Sequence, residues 1–132
     1  MQGLADCNPF GLALLLTYKF GSARMGSRFT CDLRWVGLRP SQLNTLHLQP
    51  QALQKLTDRD RSRMTSLMNL LRSNDGMNDA CFVKIYCDEL KLMMAAGIKC
   101  ELEALVSRSY DLSTISTLSD FLERQITQRK FI

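Results

Sequence analysis

The sequence predicts a mixed fold, α/β or α+β, on three observations. Helical apolar spacing recurs along the chain, at least two short segments read as strands, and the first strand passes through one helix to the second. A strand, helix, strand order favours a parallel pair. The length of 132 residues is about one domain's worth, and 45% hydrophobic residues suffice for a core.

The first junction is Ala5-Asp6-Cys7-Asn8-Pro9-Phe10-Gly11, where an apolar strand hands over to a helix. Residues two apart in an extended strand point the same way, so Asp6 and Asn8 present both side chains at one strand end, a perch for magnesium. The same residues also read as an ordinary N-cap, Asn8, followed by a first-turn proline, Pro9. Gly11 allows close backbone approach, and Leu12 to Phe20 reads as a buried helix. Its apolar run, Phe10 to Leu16, is too short to span a bilayer, and no signal peptide is recognisable, which points to an intracellular protein without membrane association.

Gly21 to Ser27 is a Gly/Ser-rich loop; it and the residue just beyond it carry Arg24 and Arg28, which could reach phosphates or simply belong to a solvated face. Residues 1–47 hold five basic side chains against two acidic ones, a local +3 within a net charge of +4. Thr30 to Val36 then alternates Cys31, Leu33 and Trp35 against Asp32 and Arg34, a strand with one buried face. Gly37 to Pro50 reads as loop with at most a short helical turn after Pro40.

Thr57 caps the next helix with Asp60 three residues on, and Met64, Leu67, Met68 and Leu71 form its apolar stripe. Its Arg59, Arg61 and Arg63 read as a solvated outer face. Ser73-Asn74-Asp75-Gly76 is a turn. From Asp79 to Ala96 the residues Val83, Tyr86, Cys87, Leu90, Met93 and Met94 recur at helical spacing, with Gly97 as a stop or a kink. Asp88, Glu89, Glu101 and Glu103 read as charges on solvated helix faces. A last helix, Leu112 to Ile126, carries Ile115, Leu118, Leu122 and Ile126.

Five cysteines without a C-x-x-C pair read as reduced packing residues, and a single histidine, His47, removes zinc and Ser-His-Asp chemistry. Tyr18, Tyr86 and Tyr110 read as packing residues.

Asp6-Cys7-Asn8-Pro9-Phe10-Gly11 resembles the Asp-x-Asp-Pro-x-Gly element of a Toprim domain. Tyr18-Lys19-Phe20-Gly21-Ser22, Arg34-Trp35-Val36-Gly37-Leu38 with Pro40-Ser41-x-Leu43, Leu56-Thr57-x-x-Asp60, Lys99-Cys100-Glu101-Leu102-Glu103-Ala104-Leu105 and the ending Gln128-Arg129-Lys130-Phe131-Ile132 continue the likeness in order. Together they resemble the meiotic double-strand-break proteins related to the A subunit of DNA topoisomerase VI. Asn8, where most members have Asp, looks most like the second plant-type paralogue.

The resemblance implies a partial Toprim domain, a short parallel sheet with several packed helices, with residues 1–132 as its C-terminal portion. The family's winged-helix domain, which carries the nucleophilic tyrosine, and the first Toprim strand with its glutamate have no counterpart in these residues. It further implies Mg2+ held by Asp6 and more weakly by Asn8, no catalytic residue in this chain, and inactivity of the chain alone. Double-stranded DNA, a second copy in a homodimer and a B-subunit-like protein are the implied partners, and the nucleus the implied location. A chain beginning within the sheet would leave an open edge and associate with itself.

The alternative is a noncatalytic DNA- or partner-binding fragment of that family. A phosphohydrolase of the haloacid dehalogenase type also places acids at a strand end, but its later Ser/Thr strand, Lys and acidic pair are not recognisable here.

Overall fold

A computed structural model describes residues 1–21, 31–46, 48–73, 80–106, 118–129 and 132. Strand β1 (Gln2–Leu4) leads into helix α1 (Pro9–Phe20), and strand β2 (Arg34–Gly37) returns beside β1 in parallel, with Gly3 opposite Trp35. The strand, helix, strand expectation therefore holds. Glycine is required at Gly3, because a Cβ there would lie 2.7 Å from Leu15 Cδ2 and 2.9 Å from Leu33 Cδ2. At the outer edge of β2, Trp35 exchanges both backbone hydrogen bonds with Ile132.

Helix α2 (Pro40–Leu46) follows, so the stretch expected as loop holds a two-turn helix started by Pro40. After a 3₁₀ turn (Pro50–Ala52) come strand β3 (Leu53–Lys55), helix α3 (Asp58–Ser73), helix α4 (Ala80–Ala96), strand β4 (Ile98–Cys100), helix α5 (Glu103–Val106) and helix α6 (Leu118–Thr127). Strands β3 and β4 form a second, antiparallel pair that sequence patterning misses, since three-residue strands are too short to show alternation.

The Thr57–Asp60 cap forms as expected: Asp60 N–H donates to Thr57 Oγ1 at 3.1 Å and Thr57 N–H donates to Asp60 Oδ2 at 2.9 Å. Met64, Leu67 and Leu71 face inward from α3, and Tyr86, Cys87, Leu90 and Met93 from α4. Gly97 ends α4 at φ +68°, where a left-handed residue closes the helix. The Trp35 and Tyr86 ring centroids lie 5.3 Å apart and those of Phe82 and Tyr86 4.0 Å apart, both pairs tilted, which joins β2 to α4 through an aromatic core.

Four further expectations change. Of the strand expected at Thr30 to Val36, residues 31–33 stay outside the ladder, which begins at Arg34, and Thr30 lies outside the described residues; Leu33 and Trp35 are buried and Asp32 and Arg34 exposed as the alternation required. Helix α1 buries only one face: Leu12, Leu15 and Leu16 are inside, while Phe10, Leu14 and Tyr18 are exposed. Glu89, expected on a solvated face, is 7% exposed. In α6 Phe121 is the buried anchor and Ile126 is exposed; residues 112–117 of that expected helix, Ile115 among them, lie outside the described residues.

All five cysteines are free thiols. Cys7, Cys87 and Cys100 are buried, whereas Cys81 is exposed. Among the described residues no helix is long and apolar enough to cross a membrane.

Candidate functional site

Beyond β1 the chain makes a tight turn at Cys7, where Asn8 N–H donates to Asp6 O at 2.8 Å, and burial alternates along it. Ala5, Cys7 and Pro9 are buried, while Asp6 and Asn8 between them are half-buried. Asp6 and Asn8 are thus the less buried positions at the strand end, with buried residues on either side of each. Ala5 donates to Gly37 O at 2.8 Å and Leu38 donates to Ala5 O at 2.7 Å, so the end of β1 is locked to the end of β2. Ligands in open α/β sheets bind beyond the carboxyl ends of the strands, and Asp6 stands there.

Asn8 has extended backbone angles, φ −146° and ψ 163°, and its Oδ1 accepts from Gly11 N at 2.7 Å. It is an N-cap, with Pro9 at the first helical position. The carbonyl oxygen keeps a second lone pair, so capping does not exhaust it as a ligand. Gly11 is held against the same turn: a Cβ there would meet Asp6 O at 2.6 Å and Asp6 N at 3.2 Å.

Asp6 Oδ1 accepts from Leu102 N at 2.8 Å, a bond across 96 positions that ties the strand end to the β4–α5 turn. Its other carboxylate oxygen has no donor among the described residues. One oxygen oriented by the backbone and one left for a ligand suits Mg2+, which is usually held by one or two carboxylates together with substrate phosphates. No group of three or more His, Cys, Asp or Glu side chains that could hold a metal occurs among the described residues. The donor set therefore fits a shared, phosphate-completed site and not an all-protein cage.

Cys7 lies between the two, facing inward, and Cys100 N donates to Cys7 O at 3.0 Å. Burial pushes the Cys7 thiol far up, and the neighbouring Cys100, Glu89 and Asp6 push in the same direction. Burial also drives Cys100 up, to about 11, with Asp6 and Glu101 adding to it. Both are inert packing thiols.

The residue that sequence reasoning missed is Glu89. Its Oε2 accepts from Ser41 N at 3.0 Å and its Oε1 from Ser41 Oγ at 2.6 Å, so a carboxylate from α4 caps α2. Its position was legible, because it falls between Tyr86 and Met93 at spacings of three and four, inside the buried arc. Nearby Arg39 is 9% exposed; burial pulls its guanidinium below the ordinary value and Glu89 and Tyr86 oppose that. Glu89→Gln keeps one acceptor oxygen and loses the charge, and is expected to cost about 1–2 kcal/mol by denaturant unfolding. A loss below about 0.5 kcal/mol would show that the charge is not used.

Tyr86 is fully buried and Tyr18 is 55% exposed, while Tyr110 lies outside the described residues, as do Arg24 and Arg28. Glu101 and Glu103 are exposed, as expected.

A family model for the Toprim domain of the topoisomerase 6 A subunit and Spo11 matches residues 1–125. The "Meiotic recombination protein SPO11-2" of Oryza sativa subsp. japonica is 37% identical over 98% of this chain and 30% of its own length. The Arabidopsis thaliana protein of that name is 34% identical, again over 98% of this chain and 30% of its own length. The A subunit of DNA topoisomerase 6 from Arabidopsis thaliana is 31% identical over 79% of this chain and 24% of its own length. The chain thus spans less than a third of the length of these relatives. Over nearly all of its residues, this chain belongs to the family of Spo11 and the topoisomerase 6 A subunit, and has that family's Toprim domain fold.

Proposed function

We propose that the chain supplies the metal-holding face of an enzyme that breaks both strands of DNA in meiotic recombination, by magnesium-dependent tyrosyl transesterification. The observation that carries it is Asp6, with one carboxylate oxygen fixed by Leu102 N and the other free of protein donors among the described residues, at the carboxyl end of a parallel strand pair. The setting comes from the relatives, which are named as meiotic recombination proteins and as part of a DNA topoisomerase. Double-stranded DNA as partner, homodimerisation, a B-subunit-like partner protein and a nuclear location belong to the same proposal and rest on family membership.

In this reading Asp6 is the charged magnesium ligand and Asn8 adds a neutral oxygen while capping α1. Bound magnesium would neutralise phosphate charge and position the DNA backbone. The chain's own part is to hold that cation at a fixed strand end and to present phosphates to it, with Arg24 and Arg28 proposed as further DNA contacts. No tyrosine here is assigned the nucleophile, which in this family comes from the winged-helix domain.

A second reading, a noncatalytic DNA- or partner-binding module, is favoured by one observation: the residue beside Asp6 at the strand end, Asn8, is a neutral amide and brings no second negative charge to a cation. Magnesium titration by calorimetry separates the two. Asp6→Ala is expected to abolish the binding heat with the fold intact by circular dichroism. Asn8→Asp keeps a cap of equal quality and adds a charge at the strand end, and should tighten binding roughly tenfold. Unchanged affinity in Asp6→Ala would remove Asp6 from the site and leave the noncatalytic reading.

A further inference from the structure

Helix α1 is apolar on nearly every side, a composition that normally belongs to a helix covered all round. One of its faces is bare. Phe10, Leu14 and Tyr18 follow one another at i, i+4 and i+8, a stripe about 12 Å long, and are 43%, 55% and 55% exposed. The neighbouring helix α3 contributes Leu70, 49% exposed, so four of the seven most exposed large apolar side chains among the described residues belong to these two helices.

This apolar surface has a basic border. The Arg59 guanidinium lies over the Phe10 ring at 5.5 Å, which sets that flank of α3 beside the stripe. Arg63 and Leu70 share the flank with Arg59, one and three turns further along. Both arginines are without an ion pair among the described residues. Of the two acids of α3, Asp60 is buried, and Asp58 is turned about 100° from Arg59 around the helix.

We propose that this α1–α3 face docks a partner protein through an amphipathic helix whose apolar stripe is flanked by Asp and Glu. The stripe supplies i, i+4, i+8 positions for helix-on-helix packing, and the unpaired arginines select acidic flanks. A second copy of this chain fits less well, because an isologous contact uses the same patch on both sides, and neither α1 nor this flank of α3 offers an acid to answer Arg59 and Arg63. Duplex DNA would match the arginines but leave Leu14 and Leu70 against a polyanion. The proposal is independent of the Asp6 site.

The test uses the full 132-residue chain and two synthetic 20-residue helical peptides with one leucine stripe, flanked either by Glu or by Lys. Fluorescence anisotropy is expected to show the Glu peptide bound at least about tenfold more tightly than the Lys peptide. Leu14→Glu, at an exposed position, should abolish that binding with an unchanged melting temperature. Arg63→Glu should shift the preference toward the Lys peptide, a gain that misfolding cannot produce. Equal binding of both peptides, or full binding by Leu14→Glu, would overturn the proposal. So would a dimer by sedimentation that Leu14→Glu separates, which gives the face to a second copy, or a loss of duplex binding in that variant, which gives it to DNA.

Discussion

Asp60→Ala is expected to cost the fold about 3 kcal/mol and lower the melting temperature by roughly 10 °C. Asp60 is 1% exposed, and its Oδ2 accepts from Thr57 N at 2.9 Å, Thr57 Oγ1 at 2.8 Å and Lys99 Nζ at 2.8 Å. Truncation removes the acidic half of the α3 cap, worth about 1 kcal/mol, and strands a half-buried ammonium that has traded water for this carboxylate. The partial exposure of Lys99 keeps the total below that of a fully buried pair. It also unfastens β4, which carries Lys99, from the start of α3. Denaturant unfolding checks this, and a change within about 0.5 kcal/mol would mean that the contact adds nothing.

The same carboxylate sets an acid dependence. Burial acts to raise the Asp60 value, but the Lys99 ammonium and the Thr57 donors outweigh it and hold the group below the ordinary carboxylate range. A depressed folded-state value means that its contribution is complete above the unfolded value, about 3.9, and is lost as pH falls through the folded value. Asp60→Asn should therefore differ most from the parent at neutral pH, and the difference should shrink below about pH 4. A gap of constant size down to about pH 2.5 would assign the loss to geometry and not to charge.

Local chemistry was legible in the sequence, and long-range pairing was not. Asn8-Pro9 and Thr57-x-x-Asp60 carry their own capping instructions, because an N-cap side chain needs only its own first turn. Leu33 and Trp35 declared an inward face by alternation, and the strand, helix, strand order implied the parallel pair because the helix carries the chain back to the end where the first strand began. The bond from Leu102 N to Asp6 joins residues 96 positions apart and has no local signature. Neither does the Ser41 contact of Glu89, whose charge suggested solvent although its spacing placed it inside. The exposed side of α1 was invisible for a related reason: an apolar composition says that a face prefers burial, not whether the covering surface is present. At the site, the alternation that leaves Asp6 and Asn8 less buried than Ala5, Cys7 and Pro9 was legible from period two, and the backbone clamp that orients Asp6 was not.

That clamp makes Gly11→Ala the more informative substitution at the site. At an ordinary helical position this change stabilises by about 1 kcal/mol, since alanine loses less backbone freedom than glycine. Here the new Cβ would stand 2.6 Å from Asp6 O, 3.2 Å from Asp6 N and 3.3 Å from Ala5 Cβ, so backbone and not a yielding side-chain tip must move. Moving it strains the bonds that lock Ala5 to Gly37 and Leu38, and swings Asp6 away from Leu102 N. Overpacking of this kind costs about 1–3 kcal/mol, which outweighs the gain, and a net loss of about 1 kcal/mol is expected. If Asp6 holds magnesium, the displaced carboxylate should also weaken the cation at temperatures where the variant is still folded, by roughly tenfold, as when a ligand's orienting partner is removed. A Gly11→Ala protein more stable than the parent would show that α1 and the strand end are not in close contact. Lost stability with unchanged magnesium affinity would instead separate the packing of this turn from the site it carries.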